Sequence, residues 1–152
     1  MPELKFEQIK ALPKGSGHLF AKTRRWDPSD PRSTFDTAEV GAYSEDLEAY
    51  QAFAIVDQPP YHSSIVFEIA AGTQSGVHSL GPGSIEVRYH VRADADAEVE
   101  YYRAVSGEIN LTTYFPSARF DASDFRFVAR RESTGELVEV YLGNFKISPI
   151  GQ

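Results

Sequence analysis

Residues 84–92 read Ser84-Ile85-Glu86-Val87-Arg88-Tyr89-His90-Val91-Arg92, and this run decides the fold class. Side chains along a strand alternate between two faces, so Ile85, Val87, Tyr89 and Val91 share one face while Glu86, Arg88, His90 and Arg92 share the other. The first face suits a core and the second suits solvent. The rhythm continues outward in both directions. Upstream, Ser64 to Ala70 puts Ile65, Phe67 and Ile69 on one face. Gly72 to Gly83 is a glycine-rich loop with a short strand near Val77 to Leu80, placed at a sheet edge. Downstream, Ser84 to Arg92, a tip at Ala93 to Ala97, and Glu98 to Val105 form a hairpin, and Gly107 to Phe115 carries Ile109, Leu111 and Thr113 on one face. Phe125 and Phe127 anchor the next strand, and Ser133-Thr134-Gly135-Glu136 is a turn joining Phe125–Arg131 to Leu137–Leu142. Gly143-Asn144 leads into a last strand, Phe145 to Ser148.

Roughly eight to ten strands at spacings of about 8–12 residues predict an all-β chain, a single antiparallel β-sandwich. A barrel is the alternative, because alternation does not report whether a sheet closes. Residues 1–50 differ in texture, with Pro13, Pro28 and Pro31 breaking them into short pieces, and are expected to form an irregular extension packed on the sandwich. Within them Gly17 to Thr23 reads as a strand. Ser44 to Ala54 is a candidate for the one short helix, with Leu47, Tyr50 and Phe53 at helical spacing; a strand entering Phe53 to Val56 competes with it.

The chain has 152 residues, enough for one domain with a substantial core and too few for two comfortable ones. A formal charge of −7 argues against nucleic acid or an anionic membrane as partner, since both need clustered Lys and Arg to displace counterions. Cysteine is absent, which removes disulfides, thiolate nucleophiles and sulfur-ligated metals. Met1 to Lys5 lacks the charged and apolar regions of a secretory signal, and no run approaches the ~20 apolar residues of a membrane span. The compartment stays open: cytoplasmic, or periplasmic or surface if a leader was removed.

Ser106-Gly107, Ile109-Asn110-Leu111-Thr112, Phe125-Arg126-Phe127, Thr134-Gly135, Val138-Glu139-Val140 and Gly143-Asn144-Phe145 follow one another in that order, with Gly76-Val77-His78-Ser79-Leu80 upstream. This succession, over about residues 61 to 148, resembles small bacterial β-sandwich domains of unknown function, often surface lipoproteins. The resemblance implies the sandwich fold and no particular activity. The lipidated cysteine of those domains is missing here, and Asp121-Ala122-Ser123-Asp124 stands where they place a glycine, so membrane anchoring is not implied.

Four histidines, His18, His62, His78 and His90, are too widely spaced for a zinc pattern and read as scattered surface residues. Tyr61 and His62, following Pro59-Pro60 in a turn, and His78 in the glycine-rich loop are the binding candidates. Asp94, Asp96 and Glu98 at the hairpin tip read as solvated acids, since the regular oxygen spacing of a calcium loop is missing. Trp26, Tyr61, Tyr102 and Tyr114 are the aromatics that an exposed sugar platform would use, while Tyr89, Tyr101 and Phe127 fall on the inner faces. The motifs of nucleophile elbows, phosphate loops and dinucleotide folds are absent.

The expectation is therefore a non-catalytic binding or assembly domain, with no cofactor and no metal. It would meet a protein partner, or a second copy of itself, through a sheet edge or through loops such as Asp57–Ser63 and Gly72–Gly83. A carbohydrate-binding module is the alternative, and a small hydrolase or lyase the third reading.

Overall fold

The structure, a computed structural model, describes residues 5–44, 47–115 and 117–149. It is all-β and antiparallel. After a one-turn helix, α1 (Phe6–Lys10), come β1 (Ser16–Thr23), a 3-10 turn (Pro31–Ser33), β2 (Thr34–Thr37), β3 (Val40–Tyr43), β4 (Ala49–Gln58), β5 (Tyr61–Ala70), β6 (Gly76–Ser79), β7 (Glu86–Arg92), β8 (Glu100–Tyr114), β9 (Arg119–Arg131) and β10 (Leu137–Ser148).

The strands make one sheet rather than the two stacked sheets of a sandwich. Its order is β2-β1-β10-β9-β8-β7-β5-β4-β3, with β6 beside β8 off this path. The two edge strands, β2 and β3, are consecutive in the chain and joined by Ala38 and Glu39, so the sheet curls until its edges approach. Two bonds among the described residues span the remaining seam, Gly15 N–H to the Val40 carbonyl at 2.8 Å and the Thr37 hydroxyl to the Ile55 carbonyl at 2.6 Å, while Ile55 N–H to the Glu39 carbonyl at 2.9 Å extends the β3–β4 ladder beside it. The result is a nearly closed barrel.

Strong coiling needs bulges, which bend a strand and add twist. They fall between Ala104 and Ser106, near Ser123, and on either side of Gly143. The expected break at Ser106-Gly107 is thus a bulge inside the continuous strand β8, and Leu137–Leu142 and Phe145–Ser148 are parts of one strand, β10. Gly107 is the residue that permits this: its φ is +150°, and a Cβ there would lie 2.3 Å from the Arg126 carbonyl oxygen.

The interior is filled by the inward alternation. Phe67 meets Phe125 and Phe145 with ring centroids 5.1 Å apart in each case, and all three are buried. A second, smaller apolar cluster lies outside the barrel wall, where Ile9 of α1 packs on Phe53, Ile55 and Val66. The helix forms because Phe6 and Ile9 share one face at a spacing of three, and because the Gln8 side chain accepts the Lys5 N–H at 2.8 Å. The helix expected within Ser44–Ala54 is not there: Ala49 onward is β4, and residues 45 and 46 lie outside the described residues. Phe53 points outward under α1 while Ala52 and Ala54 point inward, and a two-residue period wins over the helical one.

Among the described residues no helix is long and apolar enough to cross a membrane.

Candidate functional site

The β5–β7 pairing ends at Glu68 opposite Glu86. Beyond that point β6 occupies the place beside β8, with Gly76 opposite Leu111 and Ser79 opposite Glu108, and among the described residues it pairs with no strand on its other side. The barrel wall parts here. A cleft of about 720 Å³ opens between β6, the end of β5 and the loop before β7, lined by Glu68, Ala70, His78, Ser79, Ser84 and Glu86 among others.

The register settles which backbone groups face that cleft. Leu80 N–H bonds the Gly107 carbonyl at 2.9 Å, so Leu80, His78 and Gly76 are the residues whose peptide groups point at β8. Val77 and Ser79 point theirs the other way, toward the cleft, and the Ser79 carbonyl accepts the Ile85 N–H there at 3.4 Å. Side chains alternate independently of this. His78, opposite the inward Ile109, faces the interior, and its Nε2 lies 2.6 Å from the Gln74 carbonyl oxygen. Val77 faces out and is 68% exposed.

Glu68 and Glu86 stand directly opposite each other on the outer face, an arrangement that like charges disfavour. Each has a guanidinium to offset the repulsion. Arg88, itself buried, comes within 3.4 Å of Glu68 and donates to the Gln51 side chain at 2.5 Å, while Arg103 lies 3.9 Å from Glu86.

Of the three candidate residues, only His78 reaches this cleft. Tyr61 and His62 begin β5 at its far end, about 30 Å and about 26 Å along the strand from Ala70 at a rise of about 3.3 Å per residue. They are in a strand rather than a turn, and being consecutive they point to opposite faces. Tyr61 is inside, buried, with its ring edge-on to Trp26 at 5.8 Å; burial raises its hydroxyl pKa. His62 is outside, with Nδ1 2.5 Å from the Asp57 carboxylate and the Phe6 ring edge-on at 6.0 Å.

Tyr61 belongs to a polar end of the interior that alternation did not single out. Arg25 donates two hydrogen bonds, both 2.7 Å, to the Glu100 carboxylate, and the Tyr102 hydroxyl donates a third at 2.5 Å. Burial pushes the Glu100 carboxyl up, but the Arg25 and Tyr102 bonds outweigh it and hold it below the usual range. Tyr89 reaches the Thr23 hydroxyl at 3.2 Å, and burial drives its own pKa up. Trp26 covers this end, with the Arg32 guanidinium 3.7 Å and the Arg25 guanidinium 4.3 Å from its ring centroid. Arg25 is paired to Glu100 and Arg32 to Asp30, so the cluster is charge-balanced and serves as a seal. Tyr102 is therefore buried rather than exposed, and Tyr101 is the outward neighbour. The four aromatics weighed as a sugar platform are dispersed: Tyr61 and Tyr102 lie within the barrel, Trp26 is stacked under two guanidinium groups, and Tyr114 carries Arg119 over its ring at 4.7 Å.

His90 is also displaced from its expected place in solvent. It lies outside the wall but under α1, 1% exposed, with Phe6 at 6.3 Å and Tyr101 at 4.8 Å between ring centroids and its Nδ1 3.2 Å from the Ser64 hydroxyl. No group of three or more metal-ligating side chains converges among the described residues.

No known protein family, curated protein or solved structure matches this chain.

Proposed function

We propose that the chain is a non-catalytic binding domain that takes up an extended segment of a protein partner along the open edge of β6. The observation that carries this reading is the one-sided pairing of β6: the Val77 N–H and carbonyl and the Ser79 N–H point away from β8, and Ser79 lines the cleft of about 720 Å³ beside the strand. Main-chain bonds to such an edge supply affinity, and alternate side-chain positions supply selectivity. β6 is short, and its residues Gly76-Val77-His78-Ser79 include no Lys and no Pro that would block pairing along the edge. The ionisable groups lining the cleft each already have a structural partner, Glu68 with Arg88, Glu86 with Arg103 and His78 with the Gln74 carbonyl, which favours recognition over proton transfer.

Val77→Pro tests it. Proline removes the N–H aimed at the cleft and spares every bond to β8, because Val77 makes none. Peptides selected from a random display library by the wild-type protein are expected to bind the variant about tenfold more weakly, the loss of one hydrogen bond plus the ring's obstruction of the edge. Far-ultraviolet circular dichroism and the melting temperature should stay near the wild-type values. Selected peptides that bind both proteins equally would place their site elsewhere and end this reading.

A further inference from the structure

The side chains lining the cleft include two carboxylates and, among the described residues, no Lys or Arg, and from this we infer the class of partner: a cationic strand, with Lys or Arg at alternate positions. This rests on the reading of β6 as an acceptor edge. Two of the residues lining the cleft are Glu, one is His, and none of the described residues lining it is Lys or Arg. Glu68 and Glu86 face each other across β5 and β7 on the outer surface, with side chains 21% and 38% exposed.

A segment added beside β6 continues the alternation of the sheet. Its outward positions lie on the same surface as Val77, Glu68 and Glu86, and its inward positions lie on the side of His78 and the buried Ile109. Outward Lys or Arg side chains relieve the repulsion between the opposed carboxylates, which their arginine neighbours reach only at 3.4 and 3.9 Å. Inward positions meet apolar or small side chains. Outward acids on the segment meet two carboxylates in a molecule whose formal charge is already −7. Charge thus selects the sequence, and the main-chain ladder holds whatever is selected.

The probes are three short peptides in which Val alternates with Lys, with Gln or with Glu, titrated into isotope-labelled protein while the Val77 and Ser79 amide resonances are followed. The Lys peptide is expected to bind about fivefold more tightly than the Gln peptide, with the Glu peptide weakest. The spread should shrink as salt is raised. Glu86→Gln, at a half-exposed carboxylate, should cut the Lys-over-Gln ratio, and Glu86→Lys should reverse the order. Equal binding of the three peptides at the β6 amides, or a Lys preference that survives both substitutions, overturns the inference while leaving strand addition standing. If none of the peptides moves the β6 amides at millimolar concentration, or if Val77→Pro binds the Gln peptide as well as wild type, strand addition itself fails.

Discussion

Phe125→Ala lowers the stability of the fold by about 3–5 kcal/mol, the cost of emptying a fully buried aromatic site that its surroundings are unable to refill. Phe125 is 0% exposed and stands where three strands meet. Its ring is 5.1 Å from Phe67, 5.8 Å from Phe145, and stacked at 14° on Phe127. On its remaining side is Gly143 of β10, where a Cβ would come within 2.4 Å of the ring; the two residues are fitted to each other. Removing the ring leaves a void bounded by backbone on that side, and backbone collapses less readily than side chains. Chemical denaturation measures the loss directly, and the melting temperature should fall by about 10 °C or more. Leu137→Ala, at a position 58% exposed, provides the contrast, with an expected change within about 0.5 kcal/mol. A loss below about 1 kcal/mol for Phe125→Ala would mean that the strands do not share this interior.

The second large effect is a loss of stability in acid that belongs to His90. Burial, with Arg88 and Arg103 adding to it, pushes the imidazole down to about 3 from an ordinary value of 6.5. Other groups packed on it are Phe6 of α1, Ser64 of β5 and Tyr101 of β8, none of which is a carboxylate able to stabilise an imidazolium. Between those two values the folded protein holds His90 neutral while the unfolded chain protonates it. The unfolded state therefore binds the extra proton, and stability rises with pH through this window. The contribution is complete above the ordinary histidine value and declines as pH falls below it, with a slope approaching about 1.4 kcal/mol per pH unit. At pH 4 the accumulated loss is about 3 kcal/mol. His90→Asn, which keeps a polar partner for Ser64 and has nothing to titrate, isolates the term: its stability relative to wild type should improve steadily as pH drops from the neutral range. Parallel pH profiles for the two proteins would show that His90 is not buried as a neutral ring.

Much of this architecture is legible in the residues, and what is lost has identifiable causes. The alternations in Ser84–Arg92 and Ser64–Ala70 mark β7 and β5 correctly because one face of each packs against the interior. Three strands are cut too short, and in each the parity of buried residues shows why. In β8 the inward set runs Tyr102 and Ala104, then Ile109 and Leu111; in β9 it runs Phe120 and Ala122, then Phe125, Phe127 and Ala129; in β10 it runs Val138 and Val140, then Phe145 and Ile147. A switch from even to odd reads as the end of one strand and the start of another, yet a single inserted residue does the same. These bulges also turn a flat pair of layers into one curled sheet, so misreading them is what makes a sandwich out of a barrel.

The outer face of β7 misleads for another reason. Its polar character is real, but α1 lies over His90, and the burial of that ring depends on a contact between residues far apart in the chain. Phe6 and Ile9 at a spacing of three were the available signal, and five residues are too few for periodicity to stand out. For the site, the glycine-rich loop from Gly72 to Gly83 and His78 within it were found from composition. Glu68 and Glu86 were not, because which two carboxylates oppose each other is a matter of register between β5 and β7, which no local pattern reports.

The edge of β6 facing the cleft is open, and amide hydrogen exchange resolved residue by residue probes that edge. With Leu80 bonded to Gly107 at 2.9 Å, the His78 and Leu80 amides should be protected by β8, while those of Val77 and Ser79 exchange at close to solvent rates and become protected when the Val-Lys peptide is added. Val77 and Ser79 amides as slow as those of His78 and Leu80 in the free protein would mean that the edge is already covered and that β6 accepts no further strand.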